Sequence, residues 1–254
     1  MLVMTKIVAT GRGGVGKTSF TALLCRYFKE KSPPVLVIDA DPDQNLAEMV
    51  GLDSKKIKTV SDVLFDIKVG NIEEKLKSSL LAEKIDYLIN QNVLYESNNF
   101  DFLSLGVKWT EGCYCQPNNI LKGIVERLEK NYKLVLIDTP AGLEHLNRRI
   151  MSSVDEIFAI IDPSKKAFDN VKRTYKIISE IGIKFDKFYI IGNYRFPDSL
   201  LGSVEEQTGF KCLGKLDFDS EVEKFNLEGK SSFELKEDSS LFKSVKQIMK
   251  KAGY

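Results

Sequence analysis

The chain has 254 residues, 43% hydrophobic and 29% charged, and its 37 basic residues nearly cancel 36 acidic ones for a formal net charge of +1. That balance argues against nucleic-acid binding through a bulk positive field, and no apolar run reaches the roughly 18 residues that span a bilayer. The N-terminal stretch MLVMTKIVAT lacks a basic leader and a small-residue cleavage site, so the expected location is cytoplasmic.

In chain order, KIVAT (6–10) is the first short β-rich run. GRGGVGKTS (11–19) follows directly, matches G-x-x-x-x-G-K-[ST], and precedes the amphipathic stretch FTALLCRYFKE. Backbone N–H groups that turn inward around phosphate oxygens require glycine wherever a Cβ would block the turn. The helix that follows presents its positive end to the same anion. Gly13, Gly14, Val15, Gly16, Lys17, Thr18 and Ser19 are therefore the expected nucleotide-binding loop. Lys17 would reach the β- and γ-phosphates, and the Thr18 hydroxyl would ligate Mg2+. Cys25, on the apolar face of this helix, reads as a core residue.

VLVID (35–39) is the second strand and runs into DADPD, which carries Asp39, Asp41 and Asp43. An acid at the C-terminal edge of a parallel strand faces the crevice where ligands of open sheets bind. Asp43 reads as the cap of the helix in QNLAEMV. Ile72, Leu76, Leu80, Lys84 and Leu88 then recur at helical spacing with one cationic interruption. FDFLSL (100–105) and KLVLID (133–138) are further strands, the latter ending at Asp138, a natural Mg2+ partner directly or through water. EIFAIID (156–162) and KFYIIGN (187–193) flank a helix whose face carries Phe168, Val171, Tyr175, Ile178 and Ile181. Cys212 sits in GFKCLGKL, one more strand, and also reads as a core residue. Leu241, Val245, Ile248 and Met249 mark the face of a C-terminal helix packed on the body.

Continuous rather than alternating apolar runs suit strands buried on both faces of a parallel sheet. Alternation with helices implies right-handed βαβ units. The expected fold is α/β: a single doubly wound, mainly parallel sheet in one P-loop domain spanning residues 1–254.

TEGCYCQPNN (110–119) poses a separate question, because it holds two of only four cysteines. In a reducing compartment such a pair suggests metal or redox chemistry before a disulfide. Two sulfurs leave half of a four-coordinate site empty. A two-fold dimer supplies the other half, so that Cys113 and Cys115 of each protomer form a symmetric four-sulfur set. Tetrahedral geometry would favour Zn2+ and square-planar geometry Ni2+. A transient redox pair and plain loop thiols are the competing readings. His145, the only histidine, is left out of the metal set, and Trp109 is either a partner contact or a core anchor.

These motifs resemble a known class. GRGGVGKTS is similar to the deviant Walker A loop (K-G-G-x-G-K-[ST]) of the MinD, ParA, ArsA and nitrogenase-iron-protein class of dimeric ATPases. DADPD (39–43) resembles its first switch and DTPAG (138–142) its second. With EGCYCQPNN and AGLEHL, the chain is most similar to CooC- and AcsF-type ATPases, which mature nickel enzymes, and the resemblance covers essentially the whole sequence. It implies ATP/ADP and Mg2+ as cofactors, with Mg2+ held by Thr18, Asp138 and, through water, Asp39. It implies that Asp41 orients the attacking water, that Asn193 contacts adenine with Arg195 nearby, and that LGKLDFD (213–219) packs against the base. It further implies a homodimer, Ni2+ or Zn2+ shared at Cys113 and Cys115, and carbon monoxide dehydrogenase or acetyl-CoA synthase as client, while the near-neutral charge and the packed C-terminal helix speak against nucleic acid or membrane as partner. One departure stands out: Arg12 occupies the position of the signature lysine that crosses the dimer interface. Arginine keeps the charge and adds planar donors, as arginine fingers do, but changes reach and angle. Two alternatives stay open: an ATP-switched positioning protein like ParA or MinD, and an iron–sulfur electron-transfer ATPase.

Overall fold

Strand β1 (Thr5–Gly11) lies at the centre of an eight-stranded sheet with the order β3-β4-β2-β5-β1-β6-β7-β8. The other strands are β2 (Val35–Asp39), β3 (Tyr95–Glu96), β4 (Phe100–Ser104), β5 (Leu134–Asp138), β6 (Glu156–Ile161), β7 (Lys187–Gly192) and β8 (Lys211–Lys215). The computed structural model describes residues 4–106, 122–123, 125–141 and 153–254. Every strand pairing is parallel except that of β3 with β4. The doubly wound, mainly parallel α/β fold expected from the sequence is the one observed. The strand Tyr95–Glu96 was not foreseen, because two exposed residues carry no burial signal.

Strand alternation divides the core into two layers. Ile7, Val35, Val37, Phe102, Leu134, Leu136 and Phe158 face one side, where the helix Lys17–Phe28 and the C-terminal helix Ser240–Ala252 pack. Val8, Leu36, Ile38, Leu103, Val135 and Ile137 face the other, against the helices Val60–Val69, Leu81–Asn92 and Lys165–Glu180. Phe20 and Phe158 are fully buried with ring centroids 5.7 Å apart. Each such side chain contributes about 1.5–3 kcal/mol by leaving water. Leu241, Val245, Ile248 and Met249 are all buried, so the C-terminal helix lies on the body as expected. Cys25 is fully buried, and burial pushes its thiol up to about 12, consistent with a core role. Cys212 lies on β8 and is only half-buried.

Two local expectations need correction. Ile72, Leu76, Leu80, Lys84 and Leu88 do not share one helix. A short turn spans Glu74–Leu76, and the following helix starts at Leu81. Leu80 ends up 71% exposed, and its N–H donates to the Glu83 carboxylate at 3.2 Å, so the helix begins there instead of running through. Tyr175 likewise is exposed, at the rim of an aromatic cluster with Phe185, Phe188 and Phe210. No helix among the described residues is long and apolar enough to cross a membrane.

Candidate functional site

The loop between β1 and the helix Lys17–Phe28 turns on three glycines with positive φ: Gly11 at 145°, Gly14 at 71° and Gly16 at 99°. A Cβ at Gly11 would lie 2.3 Å from the Ile160 carbonyl oxygen, so only glycine lets β1 leave the sheet beside β6. Gly16 occupies the N-cap position, no side chain caps the helix, and its first turn carries no acid. The leading N–H groups are therefore left for an external anion, and the helix dipole adds its positive end.

Lys17 is buried, and its Nζ donates to the Arg12 carbonyl at 3.1 Å. Burial lowers the Lys17 pKa, while the charges of Asp138 and Asp41 pull it back up. The ammonium sits curled over its own loop, with no carboxylate bonded to it among the described residues, positioned for a polyanion.

Opposite the loop stand the ends of β2 and β5. Register pairs Asp39 with Asp138 across adjacent strands, and both are fully buried. Asp39 accepts the backbone N–H of Asp41 at 3.0 Å and of Leu46 at 3.3 Å. Burial raises its carboxyl to about 7, and the Asp138 charge adds to the rise. Asp138 rises to about 6, again mainly through burial, held down by hydrogen bonds from the Thr18 and Thr21 hydroxyls and by the Lys17 charge. One of its oxygens, Oδ2, has no partner among the described residues. Two buried carboxylates, an orphan oxygen and a neighbouring threonine hydroxyl make an oxygen-rich donor set that fits Mg2+. A cation would favour the charged carboxylates and so offset the effect of burial that raises both pKa values. Among the described residues no group of three or more His, Cys, Asp or Glu could hold a metal alone, so phosphate and water oxygens must complete any shell here.

Asp43 does not cap the next helix. Asn45 takes the N-cap position without a side-chain bond, and the Leu46 N–H goes to Asp39 instead. Asp43 donates its own N–H to Asp41 Oδ1 at 3.0 Å. Asp39, buried at the strand end, holds the Leu46 N–H, whereas Asp43 is exposed.

A cleft of about 800 Å³ opens beside these parts, lined by the loop Gly13–Ser19, Asp41, Tyr194 and Leu216–Asp219, with Asp39 and Asp138 buried behind its lining. Asn193 and Arg195 are not among its lining residues. Asn193 is buried, and its Oδ1 accepts the Arg195 N–H at 3.0 Å, closing the turn after β7. Between them Tyr194 does reach the cleft, its ring centroid 6.0 Å from that of Phe218, and both rings are partly exposed. Phe218 lies within the LGKLDFD stretch that sequence had singled out. Tyr194 was missed because nothing marked it apart from its neighbours. Arg12 points outward and meets Asp162 at 3.4 Å, with its side chain 49% exposed. Cys113, Cys115, Trp109 and His145 lie outside the described residues.

Known proteins are similar to this chain in sequence and in fold. A family model described as "AAA domain" (AAA_31) matches residues 4–189. An uncharacterised ATP-binding protein of Methanocaldococcus jannaschii is 36% identical over 249 residues, 96% of this chain and 97% of that one. The carbon monoxide dehydrogenase accessory protein CooC of Rhodospirillum rubrum is 25% identical over 240 residues, 91% of this chain and 90% of that protein. The solved structure of the septum site-determining protein MinD of Pyrococcus horikoshii, complexed with Mg-ADP, superimposes with a TM-score of 0.71 at 20% identity, covering 98% of this chain and 96% of that one. That last likeness speaks to the fold.

Proposed function

This chain belongs to the AAA-domain family whose model it matches, as a P-loop ATPase of the MinD/ParA class, and from that premise we propose that it is a nickel metallochaperone. It dimerises on ATP, hydrolyses it, and helps insert nickel into carbon monoxide dehydrogenase or acetyl-CoA synthase during maturation. The observation that carries the reading is the likeness to CooC along nine-tenths of the chain, in a sequence that also has the Cys113-x-Cys115 pair.

In this reading the Gly13–Ser19 backbone and Lys17 hold the β- and γ-phosphates. Thr18, Asp39 and Asp138 hold Mg2+, which when bound neutralises charge building on the transferred phosphoryl group. Asp41, at the cleft wall, orients the attacking water. Asn193 and Arg195 shape the turn that borders the adenine end. Arg12 of each protomer leaves Asp162 and reaches the partner's phosphates, so hydrolysis requires the pair. The same pairing brings the two Cys113 and Cys115 sets together around the cargo ion, Ni2+ or Zn2+.

Metal titration of the ATP-bound protein tests this directly. One Ni2+ or Zn2+ per dimer is expected, lost in the Cys113→Ser/Cys115→Ser variant; unchanged affinity in that variant defeats the proposal. A second reading, an ATP-switched positioning protein, draws support from the fold shared with MinD. The buried apolar face of the C-terminal helix argues against its membrane form, since Leu241, Val245, Ile248 and Met249 are already spent on the body. ATP-dependent sedimentation with liposomes or DNA would favour that second reading.

A further inference from the structure

Three neighbouring strands carry a polar residue at one level of the sheet. Asp138 of β5 pairs with Asp39 of β2, which pairs in turn with Ser104 of β4. Register partners on parallel strands point to the same face. Alternation from Leu136, Val37 and Phe102 puts all three on the side packed by the helix Lys17–Phe28. Ser104 is 1% exposed, and its Oγ has no hydrogen-bond partner among the described residues.

A buried hydroxyl without a partner works against the fold that carries it, and alanine would fill nearly the same space without that cost. Such an atom calls for a partner that the described residues do not supply. The position is also tightly held. The Leu105 N–H donates to the Asp39 carbonyl at 2.9 Å, and the Leu105 carbonyl accepts both the N–H and the hydroxyl of Ser61, at 3.1 and 2.8 Å. Gly106, at φ 73°, lies so close to Thr59 that a Cβ would sit 2.3 Å from the Thr59 hydroxyl oxygen. A backbone held in this way next to Ser104 suits a positioning task.

We propose that Ser104 is a positioning residue of the divalent-cation site: its hydroxyl holds a cation-ordered water against the Asp39 carboxylate. The inference rests on the reading that Asp39 and Asp138 hold Mg2+. Water is the bridging element because Ser104 makes no direct bond to either carboxylate, and a buried water needs two or more polar partners, which this row provides. Outer partners of this kind fix the orientation of metal ligands.

Binding of a fluorescent ADP analogue, measured across a Mg2+ titration and again in EDTA, tests the proposal alongside the melting temperature of the nucleotide-free protein. Ser104→Ala is expected to raise the Mg2+ concentration for half-maximal effect about tenfold, within the range seen when outer-sphere partners are removed. Binding in EDTA stays unchanged. The nucleotide-free protein melts at the same temperature or about 2–4 °C higher, because an unpaired buried hydroxyl is gone. A lower melting temperature with an unchanged Mg2+ requirement makes Ser104 a packing residue and overturns the inference. Asp138→Asn separates the two levels. If it abolishes the Mg2+ dependence while Ser104→Ala leaves it intact, only the Ser104 role fails. If Asp138→Asn leaves the dependence intact, the cation reading itself falls.

Discussion

Two lysines near the two ends of the first strand are both buried, Lys6 at 4% and Lys17 at 6% exposure, and they are handled in opposite ways. Lys6 meets the Glu129 carboxylate at 2.7 Å, a closed ion pair at the N-terminal end of β1, remote from the cleft. Among the described residues the Lys17 ammonium bonds only to a backbone carbonyl, and beside the cleft two buried carboxylates are crowded together with an oxygen left over. The N-terminal end of the strands pairs its buried charges, Lys6 with Glu129 and Glu156 with Lys187, leaving one Glu156 oxygen without a partner among the described residues. The other end leaves positive and negative groups separated, each waiting for a ligand of opposite sign. Buried charge is costly wherever it occurs, so the unpaired end marks the site and the paired end marks the scaffold.

The sharpest way to break this contrast is Lys6→Met, which strands Glu129 in the interior. Urea unfolding should show a loss of about 3–5 kcal/mol, and Lys6→Met/Glu129→Leu should recover most of it, with ATP hydrolysis per folded molecule unchanged in both. Lys17→Ala should invert the pattern. Phosphate release falls on the order of 10²–10³-fold, as when a preorganised donor to transferring charge is removed, while the urea midpoint stays near wild type. If Lys17→Ala destabilised as much as Lys6→Met, the two ends would not differ in kind.

Acidity sharpens the comparison further. Asp39 near 7 and Asp138 near 6 sit above an ordinary aspartate, so the folded state binds protons that the unfolded chain releases near pH 4. Their stabilising contribution is therefore complete below about pH 4 and is lost as pH rises through about 6 to 7, at about 1.4 kcal/mol for each unit of displacement. Unfolding of the nucleotide-free protein across this range should show that decline. Asp39→Asn should flatten it, and saturating Mg2+ with ADP should do the same. A profile in Asp39→Asn as steep as wild type would remove Asp39 from the account. The smallest effect belongs to Arg12→Ala. Its contact with Asp162 is long and half-exposed, so stability should move by less than about 1 kcal/mol. Hydrolysis should nonetheless fall, and Arg12→Lys should restore it if the charge crosses to the partner.

Much of the fold was legible because its signals are local. Apolar runs bounded by turn residues located β1, β2, β4, β5, β6 and β7 to within a residue or so, and Cys212 marked β8. The helical spacing from Ile72 to Leu88 misled because a periodic pattern does not reveal that the chain turns at Leu80, where Glu83 caps a new start. Asp43 looked like a cap because caps are short-range devices. The actual acceptor, Asp39, stands seven residues from the Leu46 N–H it binds.

What the sequence determined alone was the phosphate loop and the kind of carboxylates that accompany it. Glycine at positive φ and acid at a strand end are demands each residue meets with its immediate neighbours. Tertiary structure alone decided that β5, β2 and β4 lie side by side, which sets Asp138, Asp39 and Ser104 at one level, and that Lys6 finds Glu129 across 123 residues of chain. Strand order and register follow from how two layers of helices fill both faces of the sheet, a many-body packing condition with no signature in any single stretch.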